Sequence, residues 1–147
     1  MKKREHSKRA GFTLIELLVV IAILAILVAV GVPVYTGYIS RANDAAVSTE
    51  LGAILTAAEA ANATNYSKIT AISINSDGEI TVELEDDSTL SERFYDDFAA
   101  YYGIARTDIG DNTSIVIGSL STLFNKSETY KNGAEWKDNA WSALGTS

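Results

Sequence analysis

Residues Arg9–Tyr35 read RAGFTLIELLVVIAILAILVAVGVPVY, and the fold turns on how they are read. From Leu17 to Ser40 no residue is charged, a run of 24 residues. At about 1.5 Å per residue, a helix of that length crosses a hydrocarbon core of roughly 30 Å. The run is apolar on every side, unlike a water-facing helix. It is also longer than the apolar region of a secretory signal peptide, about 7–15 residues. Residues 1–11 place Lys2, Lys3, Arg4, Lys8 and Arg9 before it against Glu5 alone, a net +4. Such a head suits the cytoplasmic flank of an inserted segment. One residue conflicts with this simple reading. Glu16 puts a carboxylate into the apolar opening of the run.

The 147 residues suffice for one ordinary domain and an appendage. Hydrophobic residues make up 47%, an average value, so the apolar excess is concentrated at one end. The net charge of −7 resolves into +4 for residues 1–11 and −11 for the remainder. A body this acidic is unsuited to nucleic acid, because phosphate contacts need Lys and Arg. There is no cysteine, so no disulfide staples the fold and no thiol nucleophile exists.

Beyond Arg41, Val47, Leu51, Ile54, Ala58 and Ala61 recur at spacings of four and three, which is one helical face. Asn43, Asp44, Glu50 and Glu59 occupy the others. Alanine is abundant from Ala42 to Ala63, and no proline follows Pro33. One helix from about Phe12 to about Asn62 is therefore expected, roughly 75 Å long. Its first half lies in membrane or against identical helices, and its second half packs on a domain. Gly31 and Pro33 predict a kink or softened turn, since proline removes a donor and crowds the preceding turn.

The remainder reads as a small head. AISINSDGEITVEL alternates Ile72, Ile74, Ile80, Val82 and Leu84 around Asp77-Gly78, which predicts a type I′ hairpin. Ser114–Gly118 is a third short strand. Leu90, Phe94, Phe98 and Tyr101 or Tyr102 recur at helical spacing, with Gly103 as C-cap. YKNGAEW, with Asn132-Gly133 inside it, is either a closing hairpin or a short terminal helix. Strands that follow a helix rather than alternate with it predict an α+β fold with an antiparallel sheet. The expected division is residues 1–11, a basic leader; 12–40, the apolar helix; and 41–147, the soluble head including the amphipathic half of the helix.

The sequence GFTLIELLVVIAILAILVAVGVPVY, with the basic stretch before it, resembles the N-terminus of a type IV prepilin over roughly residues 2–40. The matching features are the short leader, Gly11 at the junction, Phe12 as first mature residue, and Glu16 at the fifth mature position. The resemblance implies cleavage between Gly11 and Phe12 by a membrane-embedded prepilin peptidase, which also methylates the new amine of Phe12. It implies a single-pass subunit in the cytoplasmic membrane with its N-terminus inside. A cytoplasmic assembly ATPase and a platform membrane protein then extract it into an extracellular pilus of identical subunits with minor pilins. Adhesion, twitching motility or surface attachment are the roles so implied. Gly31 and Pro33 also match the family, whose helix is commonly loosened near such residues in the filament. A kink where the helix leaves the bilayer is the alternative. The family's C-terminal disulfide loop has no counterpart here, which points to a bacterium with a single membrane.

The chemistry of the residues fits these roles. Methylation keeps the charge of an amine. Phe12 and Glu16, four apart, share a helical face. A carboxylate in a membrane is costly and marks a function and a partner. The Glu16 of one subunit meeting the Phe12 amine of a neighbour sets axial register. Set against this, Glu16 could merely snorkel at the cytoplasmic face, and the run could be an ordinary signal anchor.

No catalytic, cofactor or metal site is expected. His6 is the only histidine and lies in the leader. Glu83–Asp87 and Asp108–Asn112 offer oxygen ligands but lack calcium-loop spacing and read as solvated turns. Tyr95, Tyr101, Tyr102, Tyr130, Trp136 and Trp141 read as packing rather than as an adhesive surface. Asn62-Ala-Thr64 matches a glycosylation triplet but carries little weight. A pseudopilin of a type II secretion or DNA-uptake system is the nearest alternative to a pilus subunit. A membrane-anchored binding module is the alternative of a different class.

Overall fold

The computed structural model describes residues 11–63, 67–86, 88–106 and 114–145. The acidic stretch Asp108–Asn112, Asp87 and Thr64 of the glycosylation triplet lie outside them. Contacts divide the chain into two compact units, residues 1–38 and 39–147. Helix α1, Leu14–Asn62, supplies residues to both.

In the first unit, α1 is assigned without interruption through Gly31 and Pro33. Pro33 has no N–H to give, but its carbonyl accepts a hydrogen bond from Thr36 Oγ1 at 3.0 Å.

The second unit is α+β. Its strands are β1 (Ile69–Asn75), β2 (Glu79–Leu84), β3 (Ile115–Val116), β4 (Gly133–Lys137) and β5 (Ala140–Ala143). They form one antiparallel sheet in the order β3-β2-β1-β4-β5. Helix α2 is Glu92–Tyr102 and helix α3 is Gly118–Lys126. Val47, Leu51, Ile54, Ala57, Ala58 and Ala61 of α1 are buried in one cluster with Ile72, Ile74 and Ile80 of the sheet and Phe94, Phe98, Leu120 and Phe124 of the shorter helices. The helical face read from spacing is thus the face the head covers.

Helix α2 has the start and stop its sequence announces. Ser91 Oγ accepts the Phe94 N–H at 3.3 Å, and Gly103 sits at φ 84°, the left-handed stop that glycine adopts without strain. The aromatic residues behave as packing groups with one exception. Tyr95 and Trp136 are buried, and Tyr102, Tyr130 and Trp141 pack partly buried against the cluster, whereas Tyr101 is 64% exposed.

The turns depart from expectation. Between β1 and β2 only Gly78 has positive φ, at 81°, so the turn is not type I′. Gly78 N–H donates to Asn75 O at 3.0 Å, and Asn75 Oδ1 accepts from the N–H groups of Asp77 and Glu79. This is a type I turn opened by Asn and closed by a left-handed Gly, whose three-residue loop suits a bulged hairpin. The left-handed pair lies elsewhere. Asp138 and Asn139, at φ 53° and 64°, join β4 to β5 with Lys137 opposite Ala140. Asn132-Gly133 is not the hairpin turn; it opens β4. Helix α3 was not foreseen. Its N-cap is Ile117, which has no side chain to announce it, and it has only nine residues.

A polar clasp ties α1 to the segment after α3. Asp44 accepts from Ser127 Oγ at 2.5 Å and from Thr129 Oγ1 at 2.7 Å, while Asn43 Nδ2 donates to Lys126 O at 2.9 Å. Ser127 is only 3% exposed, and its hydroxyl also accepts the Tyr130 N–H. The Ser127 hydroxyl, then Thr129, hold the Asp44 carboxyl below its ordinary range. Asp44→Ala is expected to destabilise residues 39–147 by about 1–3 kcal/mol at pH 7, because it strips a charged acceptor from a buried hydroxyl. A depressed folded-state pKa gives stability that is present above the unfolded value, about 3.9, and lost as pH falls through the folded one. The gap between wild type and Asp44→Ala should therefore narrow below about pH 4. Urea midpoints at pH 7 and pH 3 check both; equal midpoints at pH 7 would show that the clasp contributes nothing.

Candidate functional site

The residues singled out for processing and assembly lie at the start of α1. Gly11 and Phe12 precede the helix, and Phe12 is 91% exposed. A side chain built on Gly11 meets nothing within 4 Å, so no packing within the chain demands glycine there.

The helix, expected to begin at about Phe12, begins at Leu14, with Thr13 as N-cap. Thr13 O accepts the first helical hydrogen bond, from Leu17 N at 3.3 Å. Thr13 Oγ1 accepts from Glu16 N at 3.3 Å. Glu16 Oε2 in return accepts from Thr13 N at 2.8 Å. Two backbone donors that the helix start leaves unsatisfied are thereby satisfied reciprocally, the arrangement called a capping box. Glu16 also lies in the first turn, where the positive end of the helix dipole favours a carboxylate. The sequence reading weighed Glu16 as a partner's counter-charge or as a snorkelling side chain and passed over Thr13, although Thr-x-x-Glu before an apolar run is a readable signature.

From Gly11 to Ile39 every residue is exposed. These include 18 large hydrophobic side chains from Leu14 to Ile39, each at least 44% exposed. The helix is long and apolar enough to cross a membrane. An exposed apolar surface this large marks a membrane or protein contact. Beside the apolar surface the site offers one carboxylate, Glu16, whose Oε1 has no hydrogen-bond partner among the described residues.

Away from this segment the titratable groups serve the fold. Tyr102 donates its hydroxyl to Glu50 Oε1, joining α2 to α1; burial, then the Glu50 carboxylate, push the phenol pKa up. The Asp86 carboxyl is held down at about 2 by the Ser67 hydroxyl and then by Ser88. Among the described residues no cluster of three or more acidic or histidine side chains is arranged to hold a metal.

Comparison with known proteins agrees with this geometry. Residues 6–32 match the model of the prokaryotic N-terminal methylation motif. The chain is 55% identical over 51 residues to a type IV major alpha-pilin of Moraxella bovis, covering 35% of this chain and 32% of that one. It is 47% identical over 53 residues to a type IV major fimbrial protein of Dichelobacter nodosus, covering 36% and 34%. It is 47% identical over 51 residues to a fimbrial protein of Pseudomonas aeruginosa, covering 35% and 33%. The matched region is thus about a third of the length of these relatives. No solved structure gives a significant match. The methylation motif and these relatives support a type IV pilin. The long apolar helix and five-stranded antiparallel sheet are the α+β architecture of that class.

Proposed function

We propose that the chain is the precursor of a structural subunit of a type IV pilus and is not an enzyme. Residues 1–11 are the leader, removed between Gly11 and Phe12 by a prepilin peptidase that also methylates the Phe12 amine. Residues 12–40 anchor the mature subunit in the cytoplasmic membrane with its N-terminus inside. The soluble head, 41–147, faces outward. An assembly ATPase and a platform membrane protein move the subunit into an extracellular filament of identical copies, with minor pilins among them. There the apolar helices pack on one another, the Glu16 carboxylate meets the Phe12 ammonium of a neighbour, and the helix loosens at Gly31 and Pro33. Adhesion, motility or surface attachment is the use of such a filament.

One observation carries this reading. The helix whose start lies in the methylation motif is exposed at every residue from Leu14 to Ile39, so the isolated chain leaves its most apolar surface uncovered. Membrane before assembly and other copies after it each cover that surface. That two of the relatives are a type IV major pilin and a type IV major fimbrial protein supports a major subunit over a pseudopilin.

The test is the mass of the mature N-terminus. Protein isolated from membranes or sheared filaments should begin at Phe12 and carry one extra methyl on its amine. A bulky residue in place of Gly11 should leave the precursor uncut. A mature chain beginning at Met1, or after Ala29, refutes the assignment.

A further inference from the structure

We propose that Thr13 is a positioning residue for Glu16: it holds the carboxylate by one oxygen at the helix start and leaves the other oxygen free for the ammonium of a neighbouring copy. The inference rests on the assembly role given to Glu16 above and assigns part of that role to a second residue.

The geometry makes the case. Glu16 Oε2 is engaged by Thr13 N–H at 2.8 Å, while Oε1 has no partner among the described residues. An ammonium can reach Oε1 without breaking the existing bond, because a carboxylate accepts on both oxygens. Before docking, the same bond meets part of the cost of a carboxylate in apolar surroundings, since an unpaired charge there is unfavourable. Any residue but proline at position 13 supplies the backbone N–H. The hydroxyl is what Thr adds: by accepting Glu16 N–H at 3.3 Å it closes the first turn and fixes where the Glu16 side chain starts. Without it the first turn frays, and the carboxylate leaves its fixed place at the helix end.

Two substitutions separate charge from position. Glu16→Gln removes the charge but keeps the box, since Gln also serves at this position of a capping box. Thr13→Val keeps the charge and the shape of the side chain but removes the hydroxyl. Thr13→Ser restores the hydroxyl. Each full-length variant is expressed in cells lacking the wild-type gene. The readout is the ratio of sheared filament to cleaved subunit remaining in the membrane, so that any change in processing is divided out.

Thr13→Val should lower that ratio on the order of fivefold, within a range of about two- to thirtyfold, the usual span for loss of an N-cap hydroxyl. Thr13→Ser should stay within about twofold of wild type. If Glu16→Gln fails to assemble while Thr13→Val assembles at the wild-type ratio, Thr13 has no positioning role and only this inference falls. It falls equally if Thr13→Ser is as defective as Thr13→Val, because the hydroxyl is then not the agent. If Glu16→Gln assembles like wild type, the carboxylate itself is dispensable, and the parent reading falls together with this one.

Discussion

Glu16→Gln is expected to reduce filament by about a hundredfold or more while leaving insertion, cleavage at Gly11 and the head intact. The estimate follows from removing one partner of a buried ion pair, which costs about 3–5 kcal/mol because the other charge is left uncompensated. On the assembly role proposed for Glu16, that stranded charge would be the Phe12 ammonium of the neighbour. Gln matches Glu in shape and keeps the Thr13 cap, so the first turn of α1 should persist and the loss can be assigned to charge. Glu16 lies in residues 1–38 and Leu51, Ile54 and the sheet in residues 39–147, so the head core is untouched. The measurement is an immunoblot of sheared filament against the membrane pool, with thermal unfolding of the head as control. A wild-type ratio would mean that the apolar surface alone drives assembly.

The N-terminal half was legible because its physics is local. An uncharged run long enough to span a bilayer, a basic flank and a single carboxylate are properties of consecutive residues. The Val47-to-Ala61 face was legible for the same reason, since helical periodicity is written every three or four residues. What could not be read depends on distance or on the exact backbone. The Asp44–Ser127 bond joins residues 83 apart, and nothing near either one announces the other. Helix α3 lacks an N-capping side chain, so its start carries no signal. The turn assignments erred for a different reason. Asp77-Gly78 and Asn132-Gly133 are both turn-forming pairs in sequence, but a third pair, Asp138-Asn139, took the left-handed positions. At the start of α1 the local signal was present, yet the Thr13–Glu16 box was overlooked because the carboxylate already had an explanation.

The head should be most sensitive at Gly133, and a second glycine supplies the control. Gly133 opens β4 opposite Asn75 of β1, at φ 108°, a conformation that side-chain-bearing residues rarely adopt. A Cβ there would stand 2.1 Å from Ile74 O, an atom fixed in the central strand of the sheet. Neither partner can give way cheaply. Gly133 N–H is bonded to Tyr130 O, and Gly133 O accepts Leu144 N–H, so moving this residue disturbs the loop before β4 and the chain after β5 together. Backbone strain of about 1–3 kcal/mol and overpacking of about 1–3 kcal/mol combine, so Gly133→Ala should cost about 2–6 kcal/mol. That is a large share of the total of about 5–15 kcal/mol typical of a domain. Gly52 presents the opposite case. It is exposed inside α1, and a Cβ there meets nothing within 4 Å. Gly52→Ala should stabilise the same unit by about 0.5–1 kcal/mol, because alanine loses less backbone freedom in a helix. Urea denaturation of residues 39–147 reads both. Opposite shifts of the midpoint are expected, and a wild-type midpoint for Gly133→Ala would mean that the start of β4 relaxes away from Ile74 without loss of pairing.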